Sequence, residues 1–276
     1  MVCIRVATLF VLALLTAGPG FAAKCGSTAA GFETWLSAFK QDAARSGVPQ
    51  KTVNSALSGV SYDTRVIRLD RNQRPFKQSF EVFMRNRVTP SRLARGRALL
   101  KSNSALFSRI EKRFGVPGPV LVAIWGLETD YGANTGSMNS IRSLATLAYD
   151  CRRSAMFTNE LLAALKIVAR GDISASAMRG GWAGEIGQTQ FMASKYLQFA
   201  VDFDGNGHRD LIRSRPDVLA STANYLKGYG WERGGKWTPG SSNFGVIQQW
   251  NKSSVYTKTV AYFASKLAAG TSVADN

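Results

Sequence analysis

The carboxylate best placed to do chemistry is Glu128, within "VAIWGLETDYG" at residues 122–132. On a helix it follows Ile124 by four residues and Trp125 by three, so its side chain lies over aliphatic and indole surface. Such a setting disfavours the charged form and raises the pKa, which suits a general acid near neutral pH. The plainer alternative is a glutamate at a helix end that points to water. Asp130, two residues on, projects from another side and is a poor partner, while Glu185 in "GEIG" needs the fold to bring it close. Glycoside hydrolases usually flank the scissile bond with two carboxylates. A single acid/base suggests a reaction in which the substrate supplies its own nucleophile.

Other chemistries are largely excluded by supply. His208 is the one histidine, which leaves no His-rich zinc site and no triad unless His208 itself serves. "GWAGEIG" lacks the strand-then-helix context of a phosphate or dinucleotide loop. A second constellation, "DFDGNGHRDLIR", places Asp202, Asp204 and Asn206 at positions 1, 3 and 5 of a calcium-type loop, with Gly207 at 6 and His208 at 7. Alternate oxygens would face inward, and position 7 would offer its backbone carbonyl. Position 12 is Arg213 instead of the usual glutamate, and Asp217 could supply the missing carboxylate. A structural Ca2+ or Na+ is the expectation; an Asp/Gly-rich loop without metal is the alternative. Gln190, Tyr225, Trp250 and Asn251 belong to a supply of aromatic and amide groups suited to sugar rings and acetamides. Arg152 and Arg153 would suit an anionic substituent, though a solvated pair is the commoner meaning.

The elements that must carry these residues read as helices. "GFETWLSAFKQDAARSG" puts Phe32, Trp35, Leu36 and Phe39 on one face. Two amphipathic helices follow in "TPSRLARGRALLKSNSALFSRIEKRFGVPG", then the buried helix of "PGPVLVAIWGLETDYG". "SLATLAYDC", "MFTNELLAALKIVARG", "QTQFMASKYLQFAVDF" and "RPDVLASTANYLKGYGW" read as further helices, and "FGVIQQW" is the best short strand candidate. The fold class is mainly α.

With 45% hydrophobic residues the 276-residue chain can bury a sizeable core. Residues 1–23 read as a signal peptide: Arg5, an apolar run too short to span a membrane comfortably, then small residues. Lys24 before Cys25 argues against a lipid anchor. Residues 24–270 read as a single catalytic domain and 271–276 as a tail, with no transmembrane segment in the mature chain. Cys25 and Cys151 remain after processing, either as a disulfide in an oxidising compartment or as two free thiols. The net charge of +17 favours polyanions. Without a nucleic-acid reading motif, and for an exported chain, bacterial wall polymer fits better than DNA.

"VAIWGLETDYG", "SLATLAYDCRR", "GGWAGEIGQTQFMASKY", "AVDFDGNGHRDL" and "ASTANYLKGYGW" together, in this order, resemble the B-type lytic murein transglycosylases. The resemblance runs from about residue 32 to 267. It implies a lysozyme-like, α-rich fold with a deep groove and an EF-hand-like loop. It also implies a periplasmic enzyme of a Gram-negative bacterium, with peptidoglycan strands as partner, and other cell-wall proteins as further candidates. The bond cut would be that between N-acetylmuramic acid (MurNAc) and N-acetylglucosamine (GlcNAc), leaving a 1,6-anhydro end, with no cofactor for catalysis. By this matching Glu128 is the acid and then the base. Gln190, Tyr225, Arg152, Arg153, Trp250 and Asn251 fall on groove positions. Asp202, Asp204, Asn206, His208 and Asp217 fall on the cation site.

This sequence departs from the pattern at Gly181, where a serine is frequent, at Met156, where an aromatic is frequent, and at Ala193, where proline is common. Asp217 also lies one residue further along than the pattern has it. Two other functions compete: a hydrolase of the same polymer in which Glu185 or Asp130 assists water, and a non-catalytic basic wall-binding protein.

Overall fold

The computed structural model describes residues 24–73 and 78–269, so the expected signal segment 1–23 and tail 271–276 lie outside the described residues. The chain is mainly helical, as the sequence predicts. The paired strands among the described residues are β1 (Met138–Asn139) and β2 (Arg179–Gly180), antiparallel with Met138 opposite Gly180.

The fold is assembled around α7 (Gly118–Thr129), the helix that carries Glu128. Pro119 stands in its first turn, where a missing N–H leaves nothing unpaired. Except for Pro119 and Glu128 every residue of α7 is buried, which its near-continuous apolarity requires. It is enclosed by α5 (Pro90–Ser102), α6 (Ser104–Phe114), α11 (Arg215–Gly228) and α13 (Ser254–Ala269). Gly126 is small because a Cβ there would lie 2.8 Å from the Tyr131 ring and 3.1 Å from Phe263. A Cβ on Gly96 of α5 would lie 2.7 Å from the Tyr131 hydroxyl.

The end of α7 is fixed by strong local constraints. Asp130 and Tyr131 both take left-handed backbone conformations (φ 52° and 60°), which cost non-glycine residues about 1–2 kcal/mol each. The surroundings offset that cost. Asp130 accepts from Arg92 at 3.0 Å and from Arg95 at 3.2 Å, and the Tyr131 hydroxyl donates to the Arg92 carbonyl at 2.7 Å. Thr129 donates its hydroxyl to the Gln188 carbonyl and accepts from Gly132 N–H. The stop therefore locks the register of Glu128. It also engages the Asp130 carboxylate with two arginines on α5.

A second group of helices lies beside this one. α8 (Ser140–Tyr149) packs along α9 (Ser154–Arg170), and α9 supports α10 (Ala193–Phe199) and α2 (Gln50–Ala56). α1 (Phe32–Arg45) lies on α8 and buries Phe32, Trp35, Leu36 and Phe39, the face its spacing marks. α3 (Thr64–Arg71) also meets α8, while α4 (Phe80–Arg87) meets α13. The chain entry is stapled to α8: Cys25 and Cys151 are disulfide-bonded, and Gly26 N–H donates to the Tyr149 carbonyl at 2.9 Å. One continuous apolar core runs through the described residues from Phe32 to Leu267.

Two sequence expectations need correction. "FGVIQQW" is not a strand but belongs to α12 (Ser242–Trp250). Ser241 caps it by accepting from Phe244 N–H, and burial falls on Asn243, Val246 and Ile247 at helical spacing. "QTQFM" is not helical either. Ile186 and Phe191 exchange backbone bonds at 2.8 and 2.9 Å across a tight turn in which Gln190 is left-handed (φ 56°), so the helix starts only at Ala193.

Candidate active site

A cleft of about 420 Å3 opens where the end of α7, the 181–192 loop, α10, α11 and the 250–251 segment meet. Glu128 and Glu185 face it together with Gln190, Tyr225, Trp250 and Asn251. Phe191, Met192 and Lys195 complete the lining.

Glu128 is anchored through one oxygen. Its Oε1 accepts from Trp250 Nε1 at 3.0 Å and from the Tyr256 hydroxyl at 2.7 Å. Burial pushes its pKa above the usual carboxylate range. The two donors and the Arg87 charge pull it back only partly, and the nearby Glu185 adds to the rise. Such a group holds its proton to higher pH than an exposed carboxyl does, and once it has given the proton up, two donors are in place to stabilise the carboxylate. The arrangement can therefore serve as an acid and then as a base.

The walls are held by their own bonds. The Trp250 indole meets Phe191 edge-on at 5.3 Å and Tyr225 at 4.8 Å, with interplanar angles of 79° and 72°. Tyr225 donates to the Gln249 carbonyl at 2.7 Å, and burial raises the pKa of its phenol. Gln190 spends its amide hydrogens on the carbonyls of Gly187 (2.8 Å) and Thr135 (3.1 Å). Asn251 accepts from Ser253 N–H at 2.9 Å just before α13. Lys195 donates to the Tyr229 hydroxyl at 2.7 Å.

Arg152 and Arg153 are not among the residues lining this cleft. Both donate to the carboxylate of buried Asp70, Arg152 through Nε at 2.9 Å, and Arg152 also reaches the Asp70 carbonyl at 3.1 Å. Burial would raise the Asp70 pKa, but these arginines outweigh it and hold the carboxyl below the ordinary aspartate value.

Spacing along the chain singles out neither Tyr256 nor Lys195. Tyr256 could have been found through α13: Tyr256, Val260, Phe263, Ala264 and Leu267 form a buried stripe at helical spacing. That stripe packs α13 on α7 and puts the first residue of the stripe against Glu128.

The Asp-rich loop lies apart from the cleft, just before α11. Carboxylate oxygens of Asp202, Asp204 and Asp217 come within 4.8 Å of one another. Asp202 also accepts backbone N–H bonds from Gly205, Asn206 and Gly207, and Asn206 accepts from His208 N–H. Buried Asp217 accepts from Phe203, Asp204 and Asp210 N–H. The loop is thus folded over inward-facing acceptors, and this donor set suits a hard cation that prefers oxygen ligands.

The chain as a whole is similar to known proteins. Residues 31–241 match the family described as Transglycosylase SLT domain. Over 148 residues, 53% of this chain, the sequence is 34% identical to the membrane-bound lytic murein transglycosylase B of Escherichia coli K12, and it spans only 41% of that relative's length. The fold is similar to SltB3 of Pseudomonas aeruginosa in complex with NAG-NAM-pentapeptide, with a TM-score of 0.83 and 34% identity over 87% of this chain and 80% of that one. SltB3 has also been solved in complex with NAG-anhNAM-pentapeptide. The soluble lytic transglycosylase SltB1 of the same organism shares the fold at 23% identity, with a TM-score of 0.80 over 86% of this chain and 99% of that one.

Proposed function

The chain belongs to the transglycosylase SLT family, and from that premise we propose that it is a lytic murein transglycosylase with Glu128 as its acid and base. The observation that carries this reading is the desolvated Glu128 carboxyl, which lines the cleft and is anchored by Trp250 and Tyr256. The SltB3 complexes named above, with glycopeptides that include an anhydro-sugar form, support the substrate class.

In the proposed reaction Glu128 gives its proton to the oxygen between MurNAc and GlcNAc as the bond from that oxygen to the muramic C1 breaks. The carboxylate left behind then takes the proton of the muramic 6-hydroxyl, whose oxygen closes on C1. One product ends in 1,6-anhydro-MurNAc and the other in a free GlcNAc 4-hydroxyl. Glu128 is restored and no water is consumed. Trp250 and Tyr225 supply faces for sugar rings, while the Gln190 amide oxygen and the Asn251 side chain supply polar groups for their substituents. Residues 24–270 act as one catalytic unit in this reading, supported by the continuous core.

Glu185 favours a second reading, in which it activates water and the enzyme is a hydrolase. The two part cleanly in heavy-oxygen water. Closure by the 6-hydroxyl leaves no label at the new ends, whereas hydrolysis places one labelled oxygen on each muramic end.

Tyr256→Phe tests the anchor. A hydrogen bond to a charged group is worth about 1.5–3 kcal/mol, so kcat is expected to fall roughly 10- to 150-fold. With one donor fewer on its anion, Glu128 should titrate higher, moving the alkaline limb of the pH–rate profile to higher pH. An unchanged profile would remove Tyr256 from the site.

Asp202, Asp204 and Asp217, with Asn206 and the His208 carbonyl, are proposed to hold a structural calcium ion, or sodium in its absence. The ion would neutralise clustered carboxylates and tie the loop to α11, with no part in bond cleavage. Calcium at a hundred times its Kd is expected to stabilise the protein by about 2.7 kcal/mol, and much less in Asp204→Asn. Equal melting temperatures with calcium and with chelator would contradict this.

We further propose export to the periplasm. The 1–23 segment and a disulfide that requires an oxidising compartment support it. No helix among the described residues is long and apolar enough to cross a membrane.

A further inference from the structure

Glu185 is a second carboxyl group in the cleft, and its backbone is fixed on both sides. Gly180 and Phe191 each form a bridge with Ile186, the residue that follows Glu185. Its own Oε2 accepts from Ala183 N–H at 3.1 Å. The carboxyl group sits in the space beside Gly181, so a side chain there would have to move it. A Cβ on Gly181 would lie 2.4 Å from Glu185 Oε2 and 3.2 Å from Gln190 Oε1. Gly181 does not have a left-handed backbone, so what a side chain there would disturb is the Glu185 carboxyl group and not the chain path.

We propose that Glu185 is a positioning residue that sets the charge around Glu128, and that Gly181 is glycine in order to admit its carboxyl group. The proposal rests on Glu128 being the reactive group.

Charged and polar groups from four elements act on Glu128. Tyr256 comes from α13, Trp250 from α12, Arg87 from α4 and Glu185 from the 181–192 loop. Tyr256 and Trp250 act as neutral donors, and Arg87 favours the anion. Arg87 is also engaged with the Leu127 carbonyl. Of the remaining charges nearby, Asp130 is neutralised by Arg92 and Arg95, and Lys195 is bonded to Tyr229. Glu185 is thus the negative charge that opposes ionisation of Glu128. Burial raises the Glu185 pKa as well, partly offset by backbone N–H groups, so the two carboxyls resist being ionised together.

The test follows the Glu128 carboxyl by carbon-13 NMR in the full chain labelled at glutamate, its resonance assigned by its loss in Glu128→Gln. In Glu185→Gln the Glu128 midpoint is expected to move to lower pH, and in Glu185→Asp to stay near the wild-type value. Gly181→Ala displaces the carboxyl and should shift the midpoint in the same direction. Combined with Glu185→Gln it should add nothing. An unchanged midpoint in Glu185→Gln would overturn the role of Glu185, and additive shifts would overturn that of Gly181. The titration does not require turnover, so a protein that fails to cleave peptidoglycan would refute the proposed function and leave this result to be judged by itself.

Discussion

Glu128→Gln is expected to lose glycan cleavage by at least the 10²- to 10⁴-fold that a general acid or base contributes, because one group does both jobs. The fold should survive. Glutamine keeps an Oε1 that can accept from Trp250 and Tyr256, and the side chain is nearly the same size. Stability should even improve at neutral pH, and the sign follows from linkage. The folded-state pKa of Glu128 lies above its unfolded value. Its contribution is therefore fully present below the unfolded pKa and is lost as pH rises through the folded one. Above that window the buried carboxyl costs stability and the amide does not. Melting temperatures of the two proteins should coincide near pH 4 and separate in favour of Glu128→Gln at pH 7–8. A variant that is inactive because it is unfolded would show the opposite order.

The second large effect is on stability. The Cys25–Cys151 bond closes a stretch of 126 residues. Loops of that size lose enough denatured-state freedom that breaking the link typically costs about 2–5 kcal/mol. For a chain of this length that corresponds to a fall in melting temperature of roughly 5–20 °C. The loss should be concentrated at the chain entry. Beyond the disulfide, Gly26 N–H donates to the Tyr149 carbonyl, and the Phe32 ring meets Tyr149 edge-on and Tyr62 at a tilt. Calorimetry of Cys25→Ser/Cys151→Ser against the oxidised protein measures it. A difference within experimental error would mean that the aromatic cluster alone holds the entry.

How much of this could be read from the chain depends on the range of the interactions. The apolar run around Glu128 is local, so both the buried helix and the desolvated acid are visible in the sequence. The Asp-rich loop is local too, and even Asp217 lies near enough along the chain to be suspected. The partners of Glu128 are a different matter. Trp250 and Tyr256 lie 122 and 128 residues away from it, and only the packing of α13 on α7 brings them in. For Arg152 and Arg153 the charge is visible in the sequence, but Asp70, which engages it, lies more than 80 residues earlier. Glu185 was ambiguous for the same reason. Its entry into the cleft depends on the Ile186–Phe191 turn, whose left-handed Gln190 has no local sequence signature. "FGVIQQW" misleads because a short apolar run satisfies both periods, and Ser241 decides for the helix.

The most direct test of the central claim is the mass of the muropeptides released from purified peptidoglycan by this protein and by Glu128→Gln. The account predicts products lighter by one water than hydrolytic ones, and none from the variant. Products with reducing ends, or cleavage that persists in Glu128→Gln, would contradict it.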